Sequence, residues 1–216
     1  IPDGVTNIWS STFRGCSSLT EITIPDSVTS IGDSAFYSCT SLTEVTIPDG
    51  VTNIEGFVFT NTPWLIAKQE ENPLVIINGT LIDGTTCTGS VTIPDSVTSI
   101  AGGAFDSCTG LTAITIPESV TSIGDVAFSG CTGLTEIAIP ESVTSIGNYA
   151  FDSCTNLTKI TIPDSITSIS DYAFRSCTGL KTLTIPDSVT TVGENAFSGC
   201  TGLTEIAIPD SVTSIG

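Results

Sequence analysis

The dipeptide Ile-Pro recurs along the chain at a spacing of 23 residues. This period constrains the fold more than any other feature, because a unit this short cannot bury a core of its own and must gain stability from neighbouring units. One step of 46 residues covers two periods and contains an irregular sequence. The repeat therefore predicts one elongated solenoid, where a length of 216 residues alone would suggest one or two globular domains. The copies begin at Ile1, Ile24, Ile47, Ile93, Ile116, Ile139, Ile162, Ile185 and Ile208.

Each unit begins with a short strand. In residues 19–41, Ile22 and Ile24 alternate with polar residues, which is the period of a half-buried strand. Pro25 ends this strand, because proline has no N–H to donate to a neighbouring strand. Equivalent strands of stacked units lie side by side, so the sequence predicts parallel β-strands along one face of the solenoid.

The remainder of each unit returns the chain to the next strand. Val28 and Ile31 are spaced for a second short extended segment with both side chains pointing inward. Gly32 turns the chain, and Asp33 stands where it would cap a short helical turn that carries Phe36 into the core. Each unit is thus predicted to be a coil of strand, turn, short extended edge and short helical turn.

The repeat as a whole resembles a known family. The pattern L-x-x-I-x-I-P-x-x-V-x-x-I-G-x-x-A-F-x-x-C covers nearly the whole chain and is similar to the BspA-like, Treponema-type class of leucine-rich repeat. The resemblance implies a leucine-rich-repeat solenoid, with an α/β horseshoe-like fold, from a bacterial or protist cell-surface protein with roles in adhesion and protein binding. Leucine-rich repeats in general have Asn or Cys after the strand, whereas Ser27 or Gly50 stands there in this chain, so the usual asparagine ladder is expected to be absent.

The repeat runs to both ends of the sequence. The chain opens on "IPDG" and closes on "SVTSIG", both within a repeat, and shows no polar capping unit. We therefore expect residues 1–216 to be a single leucine-rich-repeat solenoid cut from a longer extracellular or cell-surface protein, whose targeting signal, anchor and caps lie outside this segment. Within it, an irregular double-length repeat is expected at about 55–92.

The strongly negative charge of the chain disfavours several classes of partner. The formal net charge is −18, with 23 acidic residues and five basic ones. Phosphate binding needs clustered basic side chains, so nucleic acid and anionic membrane surfaces are disfavoured, and no apolar run is long enough for membrane insertion. The chain has no histidine, and nearly every carboxylate and thiol is repeated at equivalent positions. No catalytic constellation can therefore be named, and we expect neither an enzyme nor a cofactor.

Seven of the eight cysteines share one position of the coil, and Cys87 lies in the irregular segment. Stacking would bring neighbouring cysteines within the Cα separation of a disulfide. Equivalent side chains of stacked coils point in parallel, however, and an inward thiol beside phenylalanine behaves as a small hydrophobic group. We therefore favour free, buried thiols over disulfides, and metal binding is the weakest alternative because zinc needs four converging ligands. The seven are Cys16, Cys39, Cys108, Cys131, Cys154, Cys177 and Cys200.

An acidic residue follows every Ile-Pro and would form a ridge along the solenoid. Such a ridge is tolerated when solvated, because like charges about 5 Å apart repel by only ~1 kcal/mol in water. Calcium sites, or an anionic strip for a basic partner, are the functional alternative, but calcium needs about six to eight oxygen ligands and each coil offers one carboxylate. The sequence favours a solvated turn. The ridge residues are Asp3, Asp26, Asp49, Asp95, Glu118, Glu141, Asp164, Asp187 and Asp210.

Side chains that alternate with the core residues of each strand point outward and form a threonine-rich, weakly acidic surface. Its uniformity indicates avidity or scaffolding more than recognition of one small molecule. We expect a monomeric, non-enzymatic module that binds a protein or glycan ligand on a host or neighbouring cell surface; a structural spacer that holds another domain away from the cell is the alternative. The candidate partner-binding residues are Thr20, Glu21, Thr23, Glu44, Thr46, Glu136, Lys159, Thr161, Lys181, Thr182, Glu205 and, from the irregular segment, Trp64.

The irregular segment interrupts this uniform surface. "PWLIAKQEEN" predicts a short helix with Pro63 near its start, and "LVIINGTLI" predicts a hairpin around its Asn-Gly dipeptide. Trp64 and the hairpin are expected to pack on the flank of the solenoid, with a ligand-binding protrusion as the alternative. If partner specificity is local anywhere, we expect it here.

Overall fold

The structure, a computed structural model, describes all residues 1–216 as a parallel-strand β-solenoid of about nine turns with a period of about 23 residues. Equivalent strands of successive turns pair in parallel, as where Ile22 lies opposite Val45 and Ile31 lies opposite Ile54. The predicted solenoid and its parallel strands are therefore confirmed.

Nineteen short strands and one helix make up the regular secondary structure. Each regular coil contributes one strand of three to five residues and one strand of two residues. In chain order the elements are β1 (Asn7–Ile8), β2 (Glu21–Thr23), β3 (Ser30–Ile31), β4 (Glu44–Thr46), β5 (Asn53–Ile54), α1 (Pro63–Glu71), β6 (Val75–Ile77), β7 (Thr80–Asp83), β8 (Gly89–Thr92), β9 (Ser99–Ile100), β10 (Leu111–Thr115), β11 (Ser122–Ile123), β12 (Glu136–Ala138), β13 (Ser145–Ile146), β14 (Lys159–Thr161), β15 (Ser168–Ile169), β16 (Thr182–Thr184), β17 (Thr191–Val192), β18 (Glu205–Ala207) and β19 (Ser214–Ile215).

The longer strands form one side of the solenoid, and we call their outward surface the strand face. They pair two by two, β2 with β4, β8 with β10, β12 with β14 and β16 with β18. The two-residue strands form longer ladders, in the orders β1-β3-β5, β9-β11-β13 and β15-β17-β19, and the longer strands β7 and β6 extend the second of these beyond β9. The short extended edges of the predicted coil therefore carry the more continuous backbone pairing.

The short helical turns predicted after each second strand are absent, so the α/β horseshoe detail is not confirmed. In their place the chain makes consecutive β-turns, with Ser34 and Ser38 at φ values of 56° and 58°. A right-handed helix does not accommodate positive φ. The backbone N–H of Phe36 instead donates to the Val58 carbonyl of the next coil at 2.9 Å. Hydrogen bonds between coils thus alternate with β-turn bonds within a coil, such as the one from the Tyr37 N–H to the Ser34 carbonyl at 3.0 Å.

Two columns of stacked phenylalanine rings form the centre of the core. One column runs from Phe13 to Phe59, with adjacent centroids 5.2 and 5.4 Å apart. The other runs from Phe105 to Phe197, with spacings of 5.1 to 5.7 Å. The columns belong to separate apolar clusters of 15 and 38 buried residues, so the solenoid has an N-terminal and a C-terminal core.

The inserted segment, residues 63–92, separates the two cores. Val75 packs into the N-terminal core and Leu81 into the C-terminal core. Gly84 lies beneath the first ring of the second column, and a Cβ atom built on it would lie 2.3 Å from a ring carbon of Phe105. The C-terminal column of rings therefore ends at Gly84, which has no ring to continue it toward the N-terminal column.

A ladder of serine hydroxyls stands where general leucine-rich repeats have asparagine. The Ser119 hydroxyl donates to the Val97 carbonyl of the preceding coil at 2.7 Å, and Ser142 donates to Val120 in the same way. Gly50 leaves one position of this ladder without a hydroxyl. The same bond is made by Ser27, Ser165, Ser188 and Ser211.

The cysteines form a second polar ladder inside the core. All eight are free, and five of the seven at the shared coil position are buried, which confirms the predicted buried thiols except at Cys16 and at Cys200, which is half-buried. The Sγ of Cys131 donates to the Phe105 carbonyl at 3.1 Å, and Cys154 repeats this bond one coil later. Cys16, in the first coil, is exposed.

The inserted segment is held by contacts that the regular coils lack. Thr62 caps α1, its side chain accepting a hydrogen bond from the Leu65 N–H at 3.2 Å. Strands β6 and β7 form an antiparallel hairpin, and the Asn78 side chain at its tip donates to the Pro48 and Val51 carbonyls, both at 2.9 Å. No helical element here has the length and hydrophobicity needed to cross a membrane.

Candidate functional site

The strand face presents eleven of the twelve candidate residues to solvent. Glu21 lies directly opposite Glu44, so the N-terminal end of the face is acidic. Glu136 lies opposite Lys159, so the central part carries both signs of charge. The exposed candidates are Thr20, Glu21, Thr23, Glu44, Thr46, Glu136, Lys159, Thr161, Lys181, Thr182 and Glu205.

Trp64, the twelfth candidate, does not belong to an exposed site. Its side chain is only 8% exposed, and its ring lies 4.6 Å from the Phe59 ring at an angle of 53°. Trp64 thus extends the N-terminal aromatic column from the inserted segment. Trp64 therefore packs on the solenoid, as expected for the inserted segment, and a side chain this buried offers little surface to a partner.

Threonines beside the strand face also connect the coils. The Thr43 hydroxyl donates to the Thr20 carbonyl at 3.2 Å, and Thr158 donates to Thr135 at 3.0 Å. Part of the threonine content that marks this surface in the sequence therefore stabilises stacking.

A groove of about 580 Å³ runs along the two-residue strands where the N-terminal and C-terminal cores meet. The backbones approach closely there, and a Cβ atom on Gly56 would lie 2.8 Å from the Gly102 carbonyl oxygen. Two carboxylates in the groove, Glu55 and Asp125, each accept a hydrogen bond from a backbone N–H of an adjacent coil, at 2.8 and 2.7 Å. Asp125, which shares the coil position of the predicted cap Asp33, therefore connects one coil to another instead of capping a helical turn.

An aromatic and charged cluster on the closing turns of the C-terminal coils was missed by the sequence reasoning. The Tyr149 and Tyr172 rings stack with centroids 4.5 Å apart, and the Arg175 guanidinium lies 5.3 and 5.5 Å from them. Arg175 also donates twice to Asp152, at 2.7 and 2.9 Å. The signal was the identical offset of 23 residues within the pairs Tyr149/Tyr172 and Asp152/Arg175.

The acidic ridge is exposed at all nine positions. No group of three or more histidine, cysteine, aspartate or glutamate side chains converges in the structure as a metal site would require. The ridge therefore presents one solvated carboxylate per coil, as a turn residue does.

The buried thiols of the ladder are protonated, and therefore unreactive, at neutral pH. Burial raises the pKa of Cys131 to about 12 and that of Cys87 to about 11. Because the thiolate is the reactive form, these side chains act as packing groups and not as nucleophiles.

Stacked coils with parallel strands and side-chain ladders define a repeat protein of the leucine-rich solenoid class, which presents an extended surface. The family model described as "BspA type Leucine rich repeat region" matches the chain in six copies, over residues 1–112, 75–185 and 98–216. The chain belongs to this family, whose members are cell-surface proteins.

Solved structures agree with this assignment. A leucine rich cell surface protein from Faecalibacterium prausnitzii is 33% identical with a TM-score of 0.53, over 98% of this chain and 59% of that protein. A leucine-rich repeat protein from Bacteroides ovatus is 32% identical with a TM-score of 0.62, over 98% of this chain and 55% of that protein. One from Eubacterium ventriosum, 23% identical with a TM-score of 0.55, over 100% of this chain and 80% of that one, supports the fold alone.

The chain spans little more than half the length of the first two of these structures. A search of the curated proteins found no match. None of the comparisons indicates an enzyme family.

Proposed function

We propose that this chain acts outside the cell as one non-enzymatic adhesion module, which binds a protein or glycan partner through its strand face. The observation that carries the proposal is the face itself, where eleven candidate side chains are exposed on paired parallel strands. Such a surface offers an extended partner many equivalent weak contacts, which add up along its length. Membership of a family of cell-surface proteins supports the same function.

The charges on the strand face narrow the chemistry of the partner. The acidic end around Glu21 and Glu44 favours basic groups, whereas the centre, where Glu136 faces Lys159, favours a polar or mixed surface. With a net charge of −18, the whole chain attracts basic partners at long range, an effect that falls with ionic strength.

Immobilised chain should capture its partner from a panel of host matrix proteins, glycans and bacterial surface proteins. The variant Glu136→Ala with Lys159→Ala removes one charge of each sign from the face and should weaken capture by about tenfold or more. The matched control, Lys68→Ala with Glu71→Ala, removes an exposed ion pair from α1 with the same zero change in net charge. Equal capture by both variants would exclude the strand face as the binding surface.

A structural spacer is the second candidate function. It is favoured by the use of serine and threonine hydroxyls for bonds between coils, because those groups stiffen the stack and are not free for a partner. A spacer would capture nothing from the panel, and the strand-face variant would leave the binding of the parent protein unchanged.

A further inference from the structure

A pocket of about 270 Å³ lies between α1 of the inserted segment and the closing turns of the adjacent coils. It is lined by apolar side chains that include Phe57 and Ile66, and by polar ones that include Gln69, Asp83, Thr85 and Asp106. Regular coils have no helix beside their closing turns, so this pocket occurs once in the chain. We call it the Asp83 pocket.

Asp83 is buried, with 6% of its surface exposed, yet only one of its carboxylate oxygens is bonded. Oδ1 accepts all three hydrogen bonds, from the Gln69 side chain at 2.8 Å, the Thr85 N–H at 3.1 Å and the Thr85 hydroxyl at 3.0 Å. No sealed side-chain oxygen in the structure lacks a hydrogen-bond partner, so the unbonded Oδ2 must reach the open surface of the pocket. Asp83 therefore keeps one carboxylate oxygen free to accept a hydrogen bond from a donor that enters the pocket, in surroundings where salt and water screen its charge less than on the open surface.

Asp106 adds a second carboxylate to the pocket, and comparison with an equivalent residue shows that Asp106 lacks a cationic partner. Asp152 occupies the same coil position two coils later, where Arg175 of the following coil neutralises it through two hydrogen bonds. The residue that follows Asp106 by one coil is Ser129, whose hydroxyl hydrogen-bonds to Asp106 but carries no charge to neutralise it. Burial raises the pKa of Asp106, as it does that of Asp83, which agrees with the lack of a cation at either group.

No basic side chain of this protein lines the Asp83 pocket. The nearest in sequence, Lys68 on α1, lies 2.8 Å from Glu71 and lines a different cavity between the helix and β6. Two carboxylates thus share a pocket with no internal cation.

The apolar wall of the pocket suits a flexible carbon chain. Ile66 is 54% exposed although it is a large aliphatic residue, and the Phe57 ring lies over Gly103 at the edge of the same pocket. Aliphatic surface can cover methylene groups, and an aromatic face attracts a cation.

We propose that the Asp83 pocket binds a primary alkylammonium group, either the lysine side chain of a protein partner or a free amine. The ammonium donates to Asp83 Oδ2 and pairs with Asp106, while its methylenes pack on Ile66 and Phe57. This site goes beyond the proposed strand-face function and does not depend on it.

The test uses the whole chain and the probe Nα-acetyl-lysine N-methylamide, followed by ¹H–¹⁵N NMR at about 150 mM salt. We expect saturable shifts of the Gln69 side-chain amide and the Thr85 N–H. The norleucine analogue, which keeps the methylenes but lacks the ammonium, should produce none. Butylammonium reports on free amines: tighter binding of the lysine derivative supports a protein lysine, and tighter binding of butylammonium supports a small amine.

Matched variants identify the carboxylates. Asp106→Asn should weaken lysine-amide binding by about tenfold, as expected for the loss of a charge-assisted hydrogen bond. Asp164→Asn, on the exposed acidic ridge, makes the same change in charge and should alter binding by less than about twofold, because salt screens distant charges. Asp83→Asn should abolish binding, and its NMR spectrum shows whether the inserted segment is still folded.

Absence of saturable shifts, equal binding of the norleucine analogue, or equal weakening by Asp106→Asn and Asp164→Asn would each overturn the proposal. The strand-face variant Glu136→Ala with Lys159→Ala should bind the lysine derivative normally. Failure of the pocket and failure of the strand-face function are therefore distinguishable.

Discussion

A regular coil and the inserted segment are held in the solenoid by different contacts. In the coil of residues 116–138, Ser119 and Cys131 bond to the preceding coil, and the same two bonds recur in the coils that follow. The inserted segment, residues 63–92, makes neither the serine bond nor the phenylalanine stack, and depends on a capped helix and on the bonds of Asn78. The regular coils are held together by the same contacts repeated from coil to coil. The inserted segment makes contacts found nowhere else in the chain, and it forms the Asp83 pocket.

The inserted segment also separates the solenoid into two parts, each stabilised by its own core. Solenoid stability is approximately a sum over units and their interfaces. Because the 15-residue and 38-residue cores do not merge, we expect the interface at residues 63–92 to be the weakest in the stack. Unfolding should then show two transitions, the N-terminal core separating from the C-terminal one.

The largest expected effect is that of Phe151→Ala. Phe151 is fully buried between Phe128 and Phe174, with ring spacings of 5.4 and 5.5 Å. Its truncation should lower the free energy of unfolding of the C-terminal core by about 3–5 kcal/mol, through lost burial and the cavity left behind. Denaturant unfolding followed by hydrogen exchange should show loss of protection in the C-terminal coils and retained protection around Phe36.

Phe197→Ala is the control for this comparison. Phe197 is half-buried and stacks on Phe174 alone, so its truncation should cost clearly less. If Phe151→Ala destabilised both cores equally, the two would form one cooperative unit and the comparison between coil and insertion would fail.

Gly84→Ala should have the next largest effect. The added methyl would lie 2.3 Å from the Phe105 ring, which is fully buried and has little room to move. We expect a loss of about 1–3 kcal/mol from overpacking, measured by chemical denaturation. Gly50→Ala is the control, because its Cβ would lie 3.3 Å from the nearest backbone atom, the Asp26 carbonyl oxygen. An equal cost at both sites would show that close packing at the junction is not special.

A smaller effect is expected in the serine ladder. Ser142→Ala removes the 2.7 Å bond to the Val120 carbonyl and should cost about 1 kcal/mol. Gly50→Ser should do the reverse, since its new hydroxyl can donate to the Val28 carbonyl, which lies 3.9 Å from the added Cβ. Compared with Gly50→Ala, the serine should raise the midpoint of unfolding. If it does not, the hydroxyls contribute little to stacking.

The repeating part of this fold was largely readable from the sequence. A spacing of 23 residues fixes which side chains stack, so the columns of Phe36 and Cys131 follow once the coil is assumed. The backbone path was harder to predict, because nothing in the letters around Ser34 indicates a positive φ, and a helical turn satisfies the same inward pattern. The serine ladder was missed because a hydroxyl in a turn reads as a solvated group.

The unique part was much less readable. The Asp83 pocket joins Phe57, Ile66, Asp83 and Asp106, which are far apart in sequence and share no period. The sequence left Trp64 with two alternatives for a related reason, since a tryptophan in an irregular segment can face either solvent or core. The contact with the Phe59 ring decides for the core.

The thiols should have the smallest effect on stability at neutral pH. The prediction compares the buried thiols of the ladder with Cys16, the exposed thiol at its N-terminal end. At pH 8, iodoacetamide should label Cys16 first, because Cys16 is exposed, whereas burial raises the pKa of Cys131 from 9.0 to about 12. The unfolded thiol ionises at lower pH than the folded one, so its contribution to stability is complete below pH 9.0 and is lost as the pH rises toward about 12. Denaturation midpoints should therefore be insensitive to the thiols near pH 7 and fall above pH 9.0. Mass spectrometry measures both outcomes. If Cys131 were alkylated as fast as Cys16, the thiol ladder would not be buried. If Cys131 were linked to a neighbouring cysteine in the unreduced protein, the thiols would not be free.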